Sequence, residues 1–333
     1  MIKGHQTWCF ESRPVIRATG TVGGPFEAEG AIAGDFDILH GDIWLGESSF
    51  EKAERKFLEQ ACEIAVDKAG MKKADVQFFL CGDLMSQIIS SSFAARTLGA
   101  PFLGLYGACS SSMEGMAIAA SLIDGGHAQN ALVATSSHNA ASEKQFRYPT
   151  EYGAQKPPTA QWTVTGAGAA ILTGEGEGPR VTAATMGRVV DMGLSDPFNM
   201  GGAMAPAAVD TIEAHFRDLD RDPSYYDLIA TGDLGRVGHQ IAGDLLEKHG
   251  MSLPKDIFTD CGLLIYRKEQ SVFSGASGCA CSATVTYGHF LNRMRKGELR
   301  KILVVATGAL LSPLSYQQKE SIPCIAHAVA IEI

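Results

Sequence analysis

The sequence lacks any apolar run that reaches the ~18 residues of a membrane-spanning helix. It also lacks a charged start followed by an apolar stretch, so a secretory signal is not expected. Basic residues are outnumbered, with 28 Lys and Arg against 37 Asp and Glu, and they form no cluster. Because nucleic-acid binding depends on a basic surface, the net charge of −9 argues against a nucleic-acid partner.

Charged residues make up only 20% of the chain, whereas 45% are hydrophobic and 37 are glycine. This composition predicts a large packed core and excludes a disordered protein. The eight cysteines are spread over 333 residues, several of them in apolar segments, and do not form a disulfide framework. They indicate a reducing, intracellular setting.

Signals for a cofactor or a metal are also missing. Cys279-x-Cys281 has no nearby Cys or His pair to complete a zinc site. The Gly-x-Gly at 166–168 precedes a predicted strand instead of opening a helix after one, so it is not a dinucleotide-binding motif. We therefore expect neither a cofactor nor a resident metal.

An internal repeat is the most informative feature that is present. Laying Cys109 on Cys281 without gaps also aligns Ser110 with Ser282 and the strand 133–135 with 305–307. Further upstream, Gly82-Asp83-Leu84 recurs as Gly232-Asp233-Leu234, each time after an apolar run. Two copies of one strand-and-helix unit predict a duplicated globular fold and not a solenoid.

The two halves are predicted to be residues 1–175 and 176–333, divided at the Gly- and Glu-rich stretch 174–178. Strands alternate with helices in both halves, which indicates α/β architecture with parallel sheets. Residues 113–123 are apolar nearly all round, as in a helix buried between layers. Together these features predict a five-layer α/β/α/β/α fold.

Two local features complete the prediction of secondary structure. Ser48 and Glu51 match a capping box for a helix that continues to residue 69. Pro197 and Pro206 are expected in a polar loop that precedes a helix at 207–218.

The motif G-A-C-S-S-S at 107–112, opening a buried helix, and T-G-A-G-A-A at 165–170, before a strand, resemble the thiolase superfamily. They are most similar to ketoacyl-acyl-carrier-protein synthase III and its relatives. Longer stretches, such as F-D-I-L-H-G-D-I-W-L-G-E at 36–47 and P-T-A-Q-W-T-V-T-G-A-G-A at 158–169, resemble the stage V sporulation protein AD family within that superfamily.

This resemblance implies binding of dipicolinic acid, free or as its calcium chelate, during spore formation and germination. It also implies membrane subunits of a transport complex as partners and peripheral association with the spore inner membrane. For the superfamily generally it implies a homodimer, which we expect through the edge of the strand at 131–135.

Cys109 is the candidate nucleophile position. A cysteine at a helix start has its thiolate stabilised by unpaired N–H groups and the helix macrodipole. The alternative is that Cys109 only fills space in the core as a small apolar side chain, as most free cysteines do. We expect Cys109 to line a functional pocket, and covalent chemistry is a separate hypothesis.

The resemblance implies two polar partners for this cysteine in condensing enzymes, a His after the strand at 227–231 and an Asn or His before the helix at 282–296. The first position falls in residues 231–236, where Asp233 or its neighbour replaces the His, and at the second position Gly278 is the best equivalent. A carboxylate beside a developing oxyanion opposes the reaction, so we expect little condensing activity.

Several residues are candidates for binding a dicarboxylate at this pocket. The helix starts near Ser110 and Ser282 offer N–H and hydroxyl donors. His138 either pairs with a carboxylate or is satisfied by a backbone carbonyl. Asp233 is a candidate contact for a chelated calcium. The cationic candidates, each with the alternative of an ordinary surface charge, are Lys144, Arg147, Lys156 and Arg236.

Three hypotheses of function follow. The first is a binding protein whose pocket at Cys109 holds dipicolinic acid without catalysis. The second is a working acyltransferase that forms an acyl-enzyme on Cys109. The third is an interaction-only protein with a vestigial pocket.

Overall fold

The structure is a computed structural model that describes residues 1–146 and 156–333. The strands are β1 (Ile2–Lys3), β2 (Thr7–Cys9), β3 (Val15–Gly23), β4 (Ile38–Leu39), β5 (Phe79–Gly82), β6 (Phe102–Gly104), β7 (Asn130–Ser137), β8 (Trp162–Thr163), β9 (Gly166–Thr173), β10 (Arg180–Thr185), β11 (Leu228–Thr231), β12 (Phe258–Asp260), β13 (Ala276–Ser277), β14 (Lys301–Ala309) and β15 (Cys324–Glu332). The helices are α1 (Pro25–Ala28), α2 (Phe50–Lys68), α3 (Ile89–Leu98), α4 (Ser111–Asp124), α5 (Asn139–Phe146), α6 (Met200–Leu219), α7 (Gly235–Lys248), α8 (Cys279–Thr284), α9 (Leu291–Arg295) and α10 (Pro313–Gln317). A π-helical segment, Val285–Phe290, joins α8 to α9.

The internal repeat of the sequence reappears as a repeated strand order. One run of five strands is β6-β5-β7-β9-β3 and the other is β12-β11-β14-β15-β10. In each run the first three strands are parallel and the last two are antiparallel to their neighbours. The runs meet where Arg180 of β10 pairs with Val15 of β3.

The prediction of parallel sheets was therefore wrong for β9 and β15. A parallel connection needs a crossover of about a dozen residues or more, usually a helix long enough to lie on the sheet. Between β14 and β15 the chain has only the short α10, Pro313–Gln317, and β15 returns antiparallel to β14.

Helices separate and cover the two runs of strands. Helix α2 packs on β3, β7 and β9, and α6 packs on β10, β14 and β15. Between the runs lie α4 and α8, and α4 contacts strands of both. Met113 and Met116 of α4 are fully buried, as are Tyr287 and Phe290. Since burial of one large apolar side chain contributes roughly 1.5–3 kcal/mol, this middle layer contributes strongly to the free energy of unfolding.

Two predicted helix starts were wrong. Helix α2 is capped by Ser49, whose hydroxyl accepts from the Lys52 N–H at 3.3 Å, and not by Ser48. Helix α6 begins at Met200, so Pro206 lies inside the helix instead of in a loop. The small, apolar residues before Pro206 are buried against the second half, and this packing offsets the hydrogen bond that proline cannot donate.

The strand at 131–135 has no free edge, because β7 lies between β5 and β9. The predicted location of a dimer contact on this strand was therefore wrong. Along the main strand order of the described sheet, β6 and β12 are the end strands. Within the described residues, none of the helices has both the length and the apolar character to cross a membrane.

Candidate ligand site at Cys109

Cys109 lies in a single 3-10 turn, Ala108–Ser110, between β6 and α4. Ala108 has φ of 50°, in the left-handed region that residues with a Cβ rarely adopt. Strained backbone of this kind is concentrated at catalytic and ligand-binding sites. The Cys109 side chain is only 8% exposed, and its exposed part faces a cavity.

Asp233 approaches the Cys109 thiol from the second half of the chain. It follows β11, is 1% exposed, and its carboxylate interacts with the thiol. The same carboxylate accepts hydrogen bonds from Thr307 Oγ1 at 2.7 Å and Ser277 Oγ at 2.8 Å. It also accepts from the Gly278 N–H at 3.1 Å. Asp233 thus joins the end of β14 and the start of α8 to the turn of Cys109.

The surroundings of the Cys109 thiol raise its pKa. The neighbouring Cys279 thiol lowers the pKa of Cys109, but burial and the negative charge of Asp233 outweigh it, so the pKa is raised. The predicted stabilisation of the thiolate by the helix start stays a prediction. Helix α4 begins only at Ser111, and the N–H groups of Ser110 and Ser111 already donate to the carbonyls of Gly107 and Ala108.

Cys279 is a site residue that the sequence analysis missed. Its Sγ donates to the carbonyl of Ala108 at 2.9 Å, and its thiol interacts with that of Cys109. The repeat had pointed to Cys281 as the counterpart of Cys109. Instead Cys281 Sγ donates to the carbonyl of Gly232 at 3.4 Å, so the two cysteines of the Cys-x-Cys motif bond to different segments of the chain.

Gly278, next to the thiol, has no room for a side chain. Its φ of 102° lies in the region that favours glycine. A Cβ at this position would lie 2.6 Å from Ser137 Oγ and 2.9 Å from Thr163 Cγ2. The backbone of Gly278 therefore fits between β7 and β8 only without a side chain.

The cavity at Cys109 has a volume of about 370 Å³ and lies between the two halves. This is within the ~300–1,000 Å³ typical of small-molecule sites. Its walls in the described chain are the loop 83–88, Tyr106, Ala108, Cys109, residues 142, 145 and 146 of α5, Thr163, Met200, Met204, Ser277 and the segment 309–313. The wall combines apolar side chains with hydroxyl and amide groups, as small-molecule sites generally do.

Asp83 is a second residue of the cavity wall that the sequence analysis missed. It follows β5, as Asp233 follows β11, and it lies in the cavity wall with 4% exposure. The Gly-Asp-Leu repeat was the signal that could have identified it. Two further residues of the wall, Gln87 and Ile88, have φ of 57° and 45°, and a β-branched residue such as Ile88 is strained in that region.

Four predicted binding residues are engaged elsewhere. Ser110 Oγ donates to the carbonyl of Gly107 at 2.6 Å, and Ser282 Oγ shares a hydrogen bond with Ser112 Oγ at 2.7 Å, where α4 meets α8. His138 bonds the carbonyl of Ile43 at 2.9 Å through Nε2, and burial lowers its pKa. Lys144 pairs with Glu51 at 3.1 Å.

The remaining cationic candidates do not line the described cavity either. Lys156 pairs with Glu143 at 2.9 Å and lies over the ring of Trp162, and Arg236 is on the exposed side of α7. Arg147 lies outside the described residues.

Of the predicted set of site residues, the structure brings together Cys109, Asp233 and Gly278. Among the residues it describes, no three His, Cys, Asp or Glu side chains are grouped so as to hold a metal ion.

Comparison with solved structures shows the fold. The chain matches 3-oxoacyl-[acyl-carrier-protein] synthase III from Aquifex aeolicus with a TM-score of 0.61 and 13% identity, over 96% of this chain and 100% of that one. It matches cerulenin-bound OleA from Xanthomonas campestris with a TM-score of 0.65 and 14% identity, over 98% and 100% of the two chains. The fold is therefore thiolase-like.

Comparison of sequences shows the family. The chain is 50% identical to Stage V sporulation protein AD of Bacillus subtilis (strain 168) over 331 residues, 99% of this chain and 98% of that protein. The profile of the family described as Stage V sporulation protein AD matches residues 4–332. The chain belongs to the stage V sporulation protein AD family, a family of sporulation proteins.

Proposed function

We propose that this protein binds dipicolinic acid, free or as its calcium chelate, in the cavity at Cys109, and that it does so without catalysis. One observation carries the proposal. The thiolase-like fold keeps its cavity at the cysteine, yet that cysteine is buried beside the carboxylate of Asp233. This arrangement favours a ligand-binding site over a catalytic site.

The absence of catalysis is supported by the charge of the groups around the thiol. Condensation on a thioester needs a thiolate and hydrogen-bond donors directed at the developing oxyanion. Here the pKa of Cys109 is raised, and no histidine lines the cavity in the part of the chain that the structure describes. The carboxylate of Asp233 would place a negative charge beside the oxyanion that develops in the reaction.

Binding of a flat aromatic dicarboxylate is supported by the cavity walls. Tyr106, Met200 and Met204 offer apolar surface for a pyridine ring, and the hydroxyls of Ser142 and Thr163 are donors for carboxylate oxygens. The identity of the ligand comes from the resemblance to the family, and the volume of about 370 Å³ accommodates it.

Isothermal titration calorimetry tests the proposal directly. We expect saturable binding of dipicolinate, in the presence or absence of calcium, and weaker binding of isophthalate, which lacks the ring nitrogen. Met200→Trp, which fills the cavity from α6, is expected to weaken binding by about 10-fold or more, a loss of about 1.4 kcal/mol. Met192→Trp, at a side chain that is 69% exposed, is the matched control. Absence of binding at millimolar ligand would exclude the proposal and favour the interaction-only hypothesis.

Incubation with acyl-coenzyme A separates binding from acyl transfer. Because the thiol is buried with a raised pKa, we expect intact-mass analysis to find Cys109 unmodified. A stable acyl adduct that disappears in Cys109→Ser would instead support the acyltransferase hypothesis. Cys281→Ser, at a second buried thiol, controls for a general effect of replacing a cysteine.

We further propose that membrane subunits of the same sporulation complex receive the ligand from this chain, and that the chain forms a homodimer. The first idea is supported by exposed apolar side chains next to the cavity segment 309–313, since Leu314 is 63% exposed and Tyr316 is 50% exposed. Contiguous exposed apolar groups are typical of interaction surfaces.

A further inference from the structure

Cys109 and Cys279 are two free thiols that meet where the two halves of the chain join. Cys109 belongs to the turn 108–110 in the first half, and Cys279 begins α8 in the second half. Cys279 Sγ donates to the carbonyl of Ala108 at 2.9 Å, and the two thiols interact with each other. Because Ala108 precedes Cys109 in the chain, this hydrogen bond holds the Cys279 sulfur beside the turn.

The backbone around each of the two thiols is fixed. The turn 108–110 packs against α8 and β14. The carbonyl of Cys279 accepts from Thr135 Oγ1 at 2.9 Å, and the next N–H, that of Ala280, donates to Ser137 Oγ at 3.2 Å. Two groups that are held together in this way react as an intramolecular pair, with a high effective concentration of one for the other.

The two thiols differ in their access to small molecules. Cys109 is 8% exposed and is the only cysteine in the described wall of the cavity, whereas Cys279 is fully buried. A small oxidant that enters the cavity therefore meets the Cys109 sulfur first. Cysteines that respond to oxidants are often placed next to a second, resolving cysteine, and disulfides inside cells are usually of this transient kind.

The carboxylate of Asp233 is a proton acceptor for the first step of such a reaction. It interacts with the Cys109 thiol. The Cys279 thiol lowers the pKa of Cys109, but burial and the charge of Asp233 raise it overall, so the thiolate is scarce and its oxidation is slow. Transfer of the thiol proton to Asp233 while the sulfur reacts avoids a free thiolate. The pair is therefore suited to sustained exposure to an oxidant.

We propose that Cys109 and Cys279 form a reversible disulfide when the protein is exposed to a hydroperoxide, and that this bond fastens the two halves of the chain together. The inference goes beyond the proposed binding function and does not depend on a ligand. The two residues lie far apart in sequence, so the bond closes a long loop, and closing a long loop stabilises a fold most.

The reaction with hydrogen peroxide has two steps. The Cys109 sulfur attacks one oxygen of the peroxide, the O–O bond breaks, and a sulfenic acid forms while the first water leaves with the thiol proton. The Cys279 sulfur then attacks the sulfenic sulfur, the S–O bond breaks, and the second water leaves with the Cys279 proton. Two thiols are oxidised to one disulfide, and one peroxide is reduced to two waters.

Peptide mapping by mass spectrometry tests the proposal. The reduced full-length protein is treated with hydrogen peroxide, its remaining thiols are alkylated, and it is digested without reductant. We expect the peptide with Cys109 to be joined to the peptide with Cys279, and dithiothreitol to separate them. Because Cys281 lies in the same peptide as Cys279, two variants assign the bond. Cys279→Ser is expected to abolish it, and Cys281→Ser, whose thiol contacts Gly232 instead, is expected to retain it.

The wild-type result needs no substitution and is decisive in itself. Oxidation of Cys109 to a sulfinic acid without a cross-linked peptide would overturn the proposal, as would a cross-link that persists in Cys279→Ser. Urea denaturation tests the fastening of the two halves. We expect the oxidised protein to unfold at a higher urea concentration than the reduced protein. An oxidised protein that is no more stable than the reduced one would overturn that role of the disulfide.

Discussion

Replacing Gly278 by alanine is expected to lower the free energy of unfolding by about 2–6 kcal/mol. About 1–3 kcal/mol comes from placing a Cβ on a backbone with φ of 102° and ψ of 164°, a region that is essentially confined to glycine. Overpacking adds about 1–3 kcal/mol, because the new Cβ would lie 2.6 Å from Ser137 Oγ. Urea denaturation of both proteins measures the difference.

Gly126→Ala is the matched control for this substitution. Gly126 also has a positive φ, 72°, but no heavy atom lies within 4 Å of a Cβ built on it. We expect only the backbone part of the effect, about 1–2 kcal/mol. Equal losses for the two variants would mean that the contact with Ser137 relaxes at little cost.

The consequence for function is larger than the loss of stability. The resemblance associates this position with a polar side chain that assists condensation. Because the space is closed even to a methyl group, neither Asn nor His can be introduced at Gly278 without moving β7 or β8. We infer that a single substitution at this position does not restore a condensing site.

Replacing Asp233 by alanine is expected to lower the free energy of unfolding by about 3–5 kcal/mol. Removing one partner from a buried charged network leaves the other groups unsatisfied, and that desolvation is the main cost. The donors that would lose their acceptor are the hydroxyls of Thr307 and Ser277 and the N–H of Gly278. Thermal or urea unfolding measures the loss.

The exposed Asp244 provides the control, and Asp244→Ala is expected to change stability by less than about 0.5 kcal/mol. A small effect at Asp233 would mean that the carboxylate is not the connection between β14 and α8. Such a result would also weaken the view that Asp233 has a structural role.

Much of the architecture was predictable because the helices and strands follow from the spacing of apolar residues along the chain. The apolar spacing of Phe57, Ala61 and Ala65 predicts α2, and the run at 113–123 predicts a helix buried on all sides. The strand order repeats around these elements in the same way in both halves. Features that depend on one residue's surroundings were predicted less well, as in the cap at Ser49 and the helical position of Pro206.

The site was only partly predictable, for a similar reason. The motif around Cys109 identified the cavity, and the resemblance pointed to Asp233 and Gly278. Hydroxyl, histidine and lysine candidates were chosen by chemical type, yet Ser282 bonds Ser112, His138 bonds a carbonyl and Lys144 pairs with Glu51. Chemical type does not specify which neighbour a side chain meets.

The sequence by itself determined the family, the duplicated α/β plan and the position of the cysteine, because these follow from pattern and composition along the chain. Only the tertiary structure decided the burial and the raised pKa of that cysteine and the different surroundings of the two aspartates. A pKa depends on burial and on nearby charge, and both are set by segments far apart in sequence. Asp83 and Asp233 share one motif, but Asp233 accepts hydrogen bonds from Thr307, Ser277 and Gly278, whereas Asp83 lies in the wall of the cavity.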